Sequence, residues 1–155
     1  MRFRSASRIR CRSQGSSFGL FCSGGGIAQL GRTYAEEALQ NGVRPAFFPE
    51  GSALTDITAK AIAMAALDGD ETAIRVYDTC GSYLGKGLAI LVDLLNPEVI
   101  VIGSVFARSE GLLRPAMERS LKQYALPRSL AVCSIRPAAL GDSIGDYAAL
   151  AAALV

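Results

Sequence analysis

The amino-acid sequence predicts an α/β fold with more helix than strand, and three observations predict it. Residues 71–95 place apolar side chains at helical spacing over a long stretch. Residues 98–103 are instead a short run of β-branched apolar residues, which is typical of a strand. A second apolar run, residues 130–135, follows a further amphipathic segment over residues 110–124. Helices and strands therefore alternate in the second half of the chain, as they do around a parallel sheet.

The first predicted helix opens in a glycine-rich turn. Gly24–Gly26 form the turn, and the helix itself is expected over residues 27–40. Asn41 and Gly42 should end it, because both residues tolerate the left-handed backbone geometry that commonly follows a helix.

A proline-containing loop, residues 43–55, precedes the second predicted helix at residues 57–67. Thr55 or Asp56 is expected to cap this helix, since a side-chain oxygen can accept a hydrogen bond from the free N–H groups of the first turn.

The third predicted helix is the longest and covers residues 71–95, with Asp70 as its N-cap. It should end near Asn96, because Pro97 disfavours helical dihedral angles in the residue before it. We expect its apolar face to be buried, and this face consists of Leu84, Leu88, Ile90, Leu91, Leu94 and Leu95.

Gly81, Gly85 and Gly87 lie inside this long helix, where each costs about 1 kcal/mol relative to alanine. Gly81 and Gly85 are four residues apart and share a face, so a second backbone or a ligand can come close to it. We interpret the pair as tight packing of the helix on the sheet, with a ligand contact as the alternative.

The strand over residues 98–103 is expected to be buried on both faces, as strands of parallel sheets usually are. The amphipathic helix after it should end before Pro127. A loop over residues 141–145 and a closing helix over residues 147–154 complete the chain.

The composition excludes several classes of function. A net charge of +2 and 19% charged residues do not indicate a nucleic-acid binder. No apolar run approaches the roughly 18 residues that a membrane span needs. The absence of histidine excludes Ser/His/Asp and Cys/His catalytic sets. The cysteines show neither a secreted disulfide pattern nor a CxxC metal pattern: Cys11, Cys22, Cys80 and Cys133. We therefore expect a cytoplasmic domain without a membrane partner.

Four segments resemble the C-terminal half of the ROK family, which contains bacterial sugar kinases and sugar-responsive repressors. They are CSGGGIAQL at residues 22–30, DITAKAIAMAALDGDETAI at 56–74, LGKGLAILVDLLNPEVIVIG at 84–103 and PAALGDSIGDYAALAAAL at 137–154. The segments occur in the family's order and at similar spacing, and LNPEVIVIG is the most specific of them.

The resemblance implies that residues 21–155 form part of the C-terminal lobe of an actin- and hexokinase-like (RNase H-like) ATPase fold. A complete lobe has a five-stranded sheet, whereas this sequence predicts two strands. One edge of the strand over residues 98–103 or 130–135 is then unpaired, and an exposed apolar edge attracts another strand. We therefore expect a homo-oligomer, a complementing N-terminal half as partner, or poor solubility.

The resemblance also implies an ATP-dependent, glucokinase-like sugar kinase that uses ATP and Mg²⁺. The family's DxGGT phosphate loop, its catalytic aspartate and its ExGH sugar-binding motif have no counterpart in this sequence. We therefore expect no catalytic residue in the chain and no activity from the chain alone. Two alternatives stay open: the effector half of a ROK repressor, and a degenerate interaction module. The sequence does not identify the sugar.

Gly103, Ser104 and Val105 match the family's Gly-Gly turn, which implies the adenosine side of an ATP site. Ser104 replaces the second glycine, and its side chain would either crowd the nucleotide or form a hydrogen bond with it. A plain turn between strand and helix is the alternative interpretation.

Ser23 and Gly24 lie where the resemblance implies a sugar cleft. The glycines beside them lack the lysine and serine or threonine of a P-loop, so a helix start is the alternative interpretation. Asp142 belongs to an LGD segment that also matches the family, and we expect it to cap the last helix or, as a second choice, to face the cleft.

Residues 1–20 are predicted to be a basic, disordered segment, since residues 1–17 contain five arginines and no acidic residue. They could be a basic arm for nucleic acid or anionic lipid, or a targeting peptide. We prefer a third interpretation, a frameshifted or decayed zinc motif, in which Cys11 is a remnant of the family's CxCGxxGCxE pattern. Zinc is not expected, because a structural site needs four N or S ligands.

Overall fold

The computed structural model describes residues 23–139 and Ser143. The predicted N-terminal segment over residues 1–20, the predicted closing helix over residues 147–154 and Asp142 lie outside the described residues. The elements, in chain order, are α1 (Gly24–Gln40), a 3₁₀ turn (Leu54–Asp56), α2 (Ala59–Leu67), α3 (Glu71–Leu95), β1 (Val99–Ile102), α4 (Val105–Arg108), α5 (Glu110–Tyr124), α6 (Pro127–Leu130) and β2 (Ser134–Pro137).

The two strands pair in parallel, which confirms the predicted α/β class. Val99 lies opposite Ser134, and Ile102 lies opposite Pro137. The second strand was predicted at residues 130–135, and this range is wrong by several residues. Pro127 occupies the first position of α6 instead of only ending the helix before it, because its fixed φ angle suits a first helical turn. The chain therefore reaches the sheet only at Ser134.

Side-chain caps fix where the helices begin. Asp70 caps α3 as predicted, with its Oδ1 accepting a hydrogen bond from the Ala73 amide at 2.8 Å. Thr58, and not Thr55 or Asp56, caps α2, because its hydroxyl accepts a hydrogen bond from the Ala61 amide at 3.2 Å. Asn96 ends α3 in a left-handed conformation with φ of 45°. These local signals are the part of the fold that short-range sequence determines.

The core is built around α3, which packs along α5. A Cβ atom added at Gly81 would lie 2.5 Å from the Leu113 carbonyl oxygen, and one added at Gly85 would overlap the Met117 carbonyl oxygen. The shared glycine face therefore allows close approach, as predicted, but the neighbour is a helix and not the sheet. Gly81 lies against Leu113 and Gly85 lies against Met117, so residue numbers increase in the same direction along both helices. The helices α3 and α5 therefore run parallel.

The last two turns of α3 depart from the prediction. Leu84 and Leu88 are buried, whereas the rest of the predicted apolar face is exposed, with Leu94 at 76%. The exposed members are Ile90, Leu91, Leu94 and Leu95. The buried face of the helix continues instead through Ala89 and Val92, so helical periodicity predicted the buried side correctly only as far as Leu88.

The first strand is not buried on both faces, contrary to prediction. Ile100 and Ile102 pack against the core cluster that contains Leu88 of α3. Val99 and Val101 point to the other face and are 44% and 62% exposed. In the part of the chain that the structure describes, no helix is both long and apolar enough to cross a membrane.

Candidate functional site

A cavity of about 470 Å³ lies beyond the C-terminal end of β1. This is the place where parallel α/β folds usually bind ligands. Its volume also suits a small organic molecule. Residues from four separate segments line it: Gly24, Ala59, Lys60, Ala63, Tyr77, Val105, Arg108 and Ser109.

The turn after β1 gives the cavity one of its walls. Val105 lines the cavity, while Gly103 and Ser104 hold the turn that leads to it. Ser104 adopts φ of 56° and ψ of −127°, a backbone conformation that favours glycine. Such a conformation typically costs about 1–3 kcal/mol in a non-glycine residue. The serine therefore keeps the backbone shape expected for a glycine, at some expense in stability.

The N-terminus of α1 also borders the cavity, next to Val105. Ser23 caps this helix, with its hydroxyl oxygen accepting a hydrogen bond from the Gly26 amide at 3.1 Å. The predicted turn at Gly24–Gly26 is therefore already the first turn of α1. A Cβ atom on Gly24 would lie 3.7 Å from Cγ2 of Val105, which is ordinary contact. Two residues assigned from sequence to different parts of a ligand site, Gly24 and Val105, thus line one cavity.

Tyr77 of α3 forms the inner end of the cavity. It is only 2% exposed, and its hydroxyl donates a hydrogen bond to the Ala59 carbonyl at 3.1 Å. Burial raises the pKa of the Tyr77 phenol above its ordinary value of 10.0; a hydrogen bond with Ser109 opposes that rise, and nearby Cys80 adds to it. The phenol therefore stays protonated and keeps α2 attached to α3.

Lys60 and Arg108 bring two positive charges to the cavity. None of the described residues that line it is acidic. Among residues 23–139 and Ser143, no group of His, Cys, Asp and Glu side chains lies close enough together to hold a metal ion.

Sequence reasoning missed the lining residues that come from α2, α3 and the end of α4: Ala59, Lys60, Ala63, Tyr77, Arg108 and the following Ser109. Lys60 belongs to a segment already singled out by its resemblance, and Arg108 follows shortly after the turn that ends β1. Arg108 could have been predicted as a site residue from its position shortly after the C-terminal end of β1, where parallel α/β folds usually bind ligands. Asp142 lies outside the described residues, so its assignment to the cleft stays a prediction.

A second cavity, of about 210 Å³, lies beside β2. Arg114 borders it and forms ion pairs with Glu110 and Glu118 on the same face of α5. Cys133 also borders it, and burial raises the pKa of this thiol above its ordinary value.

Comparison with known proteins identifies the family. The sequence model described as the ROK family matches residues 4–155. The chain belongs to the ROK family. Its match begins within the predicted N-terminal segment, whose structure lies outside the described residues.

The curated ROK relatives include both regulators and an enzyme. The chain is 38% identical to the DNA-binding transcriptional repressor Mlc of Escherichia coli over 71 residues, which is 46% of this chain and 18% of Mlc. It is 37% identical to a glucokinase of Halalkalibacterium halodurans over 89 residues, 57% of this chain and 27% of the glucokinase. The matches therefore span less than a third of either relative.

Solved structures confirm the fold. One is a ROK family transcriptional regulator that is a homologue of E. coli Mlc, with a TM-score of 0.60 and 29% sequence identity. The alignment covers 83% of this chain and 31% of the regulator. The other is a ROK family glucokinase from Streptomyces griseus in complex with glucose and AMPPNP, with a TM-score of 0.71 and 23% sequence identity. The alignment covers 86% of this chain and 42% of the glucokinase. The chain thus has the fold of part of a ROK protein.

Proposed function

We propose that this chain provides the nucleotide-binding side of a ROK sugar kinase, and that it acts together with the remaining half of such a lobe. The cavity beyond β1 is the observation that carries the proposal, because it joins the Gly103–Val105 turn to the start of α1. The chain contributes binding and not chemistry, since the family's phosphate loop and catalytic aspartate have no counterpart in its sequence.

The chemistry of the cavity suits an adenine nucleotide. Ala59, Ala63 and Val105 offer small apolar surfaces on which a planar base can lie. Lys60 and Arg108 supply positive charge for phosphate oxygens or for stacking against the base. Mg²⁺ prefers carboxylate and water ligands, and no carboxylate is among the described lining residues. We therefore propose that the metal ligands of the complete site lie outside the described lining residues, with Asp142 or the remaining half as their source.

Calorimetric titration of ATP into the purified chain tests this proposal. We expect micromolar binding by the wild type and loss of about tenfold or more in affinity for Ala63→Phe, whose ring would fill the cavity. Met64→Phe is the matched control, because Met64 lies next to Ala63 on α2 but is 57% exposed and outside the cavity. Absence of ATP binding by the folded wild type, or equal affinities for both variants, would contradict the proposal.

Lys60→Gln should separate the contribution of charge from that of shape. We expect it to weaken ATP more than adenosine, because only ATP carries phosphates. Arg128→Gln removes an exposed arginine of α6 outside the cavity and should change neither affinity.

A second candidate function is the effector half of a ROK repressor, which the repressor relatives favour. Besides Mlc, the chain is 40% identical over 73 residues to the N-acetylglucosamine repressor of E. coli. In this case the chain, completed by its other half, would bind a sugar without ATP. Titration of glucose and N-acetylglucosamine in the absence of nucleotide distinguishes the two candidates.

The remaining expectations stay predictions. A non-catalytic interaction module would show no ATP or sugar binding but would still form a stable complex. Cytoplasmic location and homo-oligomerisation are likewise predictions, and solution mass measurement of the purified chain tests the second.

A further inference from the structure

We propose that Tyr77 is a positioning residue that makes the cavity beyond β1 prefer nucleotides with a phosphate chain over nucleosides. Its buried hydroxyl ties together the two chain segments that carry Lys60 and Arg108, and so fixes where these two cations lie. This inference rests on the proposed function, in which both side chains supply positive charge for phosphate oxygens.

The Tyr77 hydroxyl contacts both segments directly. It donates a hydrogen bond to the Ala59 carbonyl at 3.1 Å and accepts one from the Ser109 hydroxyl. Ala59 immediately precedes Lys60, and Ser109 immediately follows Arg108. Both partners of the hydroxyl line the cavity, as does Tyr77 itself. One oxygen atom therefore connects the chain neighbours of the two described cations of the site.

Ser109 is placed in an unusual way for a serine at the start of a helix. It holds the N-cap position of α5, where a serine side chain normally accepts a hydrogen bond from the first turn, but its side chain makes no capping hydrogen bond. The hydroxyl is directed to Tyr77 instead. Its N–H donates to the Val105 carbonyl at 2.9 Å, and its carbonyl accepts from the Leu113 amide at 3.1 Å. The serine therefore connects α4 and α5 to Tyr77.

Both segments that carry a cation depend on contacts of this kind. The helix α4 has only four residues, Val105–Arg108, and so short a helix is marginal without contacts to the rest of the fold. Lys60 lies in the first turn of α2, to which the Thr58 cap and the Tyr77 hydroxyl are both attached. Because Lys60 and Arg108 are exposed, burial does little to hold their side chains. The position of the backbone therefore decides which phosphate oxygens they reach.

The Tyr77 hydroxyl is not needed to fill the core. The side chain is 2% exposed, and a phenylalanine ring would occupy almost the same volume. Burying a hydroxyl costs free energy unless it forms hydrogen bonds, and here both partners belong to the cavity wall. The consequence of removing the hydroxyl should therefore appear at the cavity.

Tyr34 of α1 provides a matched control. Its hydroxyl also forms a hydrogen bond with α3, to the Thr79 hydroxyl at 3.0 Å, but neither residue is among those described as lining the cavity. Tyr34→Phe therefore removes the same atom as Tyr77→Phe and weakens the attachment of the same long helix, away from the two cations.

Calorimetric titration of ATP and of adenosine into the purified chain tests the inference, with circular dichroism to show that each variant is folded. A hydrogen bond to a charged group contributes about tenfold or more in affinity, so displaced cations in Tyr77→Phe should weaken ATP binding by about fivefold. Adenosine carries no phosphate, and its binding should weaken by less than about twofold. Tyr34→Phe should leave both affinities unchanged.

Lys60→Gln shows whether the hydroxyl acts through the cations. In that background, the effect of Tyr77→Phe on ATP binding should shrink to about twofold, because only Arg108 is left to be displaced. Ser109→Ala removes the other end of the connection and should also weaken ATP binding selectively. The double variant Tyr77→Phe/Ser109→Ala should bind ATP no more weakly than Tyr77→Phe, since both changes break one connection.

Several results would overturn the inference. Equal losses of ATP and adenosine affinity in Tyr77→Phe would mean that the hydroxyl shapes the cavity and does not position charge. A selective loss of ATP affinity in Tyr34→Phe would assign the effect to any loosening of α3. Additivity of Tyr77→Phe with both Lys60→Gln and Arg108→Gln would exclude action through the cations.

The same titrations keep this inference apart from the proposed function. ATP binding that Tyr77→Phe leaves unchanged contradicts only the positioning role of the hydroxyl. Absence of ATP binding by the folded wild type contradicts the proposed function as well.

Discussion

Large apolar residues in the first half of α3 and at the end of this helix have different surroundings. In the first half, Val76, Tyr77 and Cys80 are almost completely buried among the other helices. In the last two turns, Ile90, Leu94 and Leu95 are each at least 66% exposed. The contrast shows that periodicity selects which face of a helix is apolar, whereas neighbouring elements decide whether that face is buried. The enclosed residues of α3 belong to the core of the chain, whereas the exposed residues at its end contribute little burial.

Replacing one enclosed leucine and one leucine of the open end of α3 should give the largest difference. Leu88 is 2% exposed, so Leu88→Ala should lower the free energy of unfolding by about 3 kcal/mol. Leu94→Ala removes the same atoms from an exposed position and should cost about 0.5 kcal/mol or less. Chemical denaturation of both variants measures the difference. Equal losses would mean that the end of α3 is covered in solution.

A smaller effect is expected at the glycine contact between α3 and α5. The added methyl group of Gly85→Ala would overlap the Met117 carbonyl, and separating the helices should cost about 2 kcal/mol despite the better helix propensity of alanine. Gly111→Ala in α5 is the control, because an added Cβ there meets no atom within 4 Å. It should be neutral or stabilise by about 0.5 kcal/mol. Stabilisation by Gly85→Ala in a denaturant titration would show that the two helices do not approach this closely.

The smallest effect on stability is expected from replacing two tyrosines of α3, one buried and one exposed. Tyr77→Phe loses the hydrogen bond to Ala59 and should cost about 1 kcal/mol at neutral pH. Tyr83 is 43% exposed, and Tyr83→Phe should change stability by less than about 0.5 kcal/mol.

The pH dependence of the stability gives a second test of Tyr77. Because the pKa of Tyr77 is raised in the folded state, the folded chain retains a proton that the unfolded chain releases near pH 10.0. The stability from Tyr77 is therefore present below that pH and is lost as the pH rises further. Wild-type stability should fall more steeply above pH 10.0 than that of Tyr77→Phe. Parallel alkaline profiles for the two proteins would contradict the buried, protonated phenol.

The ends of α3 could be predicted from the sequence, because they depend on the residues next to them in the chain. Asp70 and Asn96 mark the two ends of α3, and both acted as predicted. Burial could not be predicted in the same way, because Leu88 and Leu94 are the same residue type on different sides of one helix, and only Leu88 is buried. The displaced start of β2 has a local cause as well, because proline is compatible with both the end of one helix and the start of another.

The site was predictable only in part for a related reason. Gly24 and Val105 were identified by resemblance, and the fold brings them into one cavity. Lys60 and Arg108 lie far apart in the sequence and carry no motif of their own. Only the packing of α2 against α3, and the turn after β1, place them around the same space.

The glycine contact also reverses the usual relation between side-chain size and tolerance to mutation. Gly81 and Gly85 contribute no side chain, yet any replacement there would strike the backbone of α5. Leu94 and Leu95 are among the largest side chains of the helix, and most of their surface touches only solvent. In a saturation mutagenesis of α3 scored by folding of this chain alone, the smallest residues should therefore be the least replaceable, and some of the largest the most.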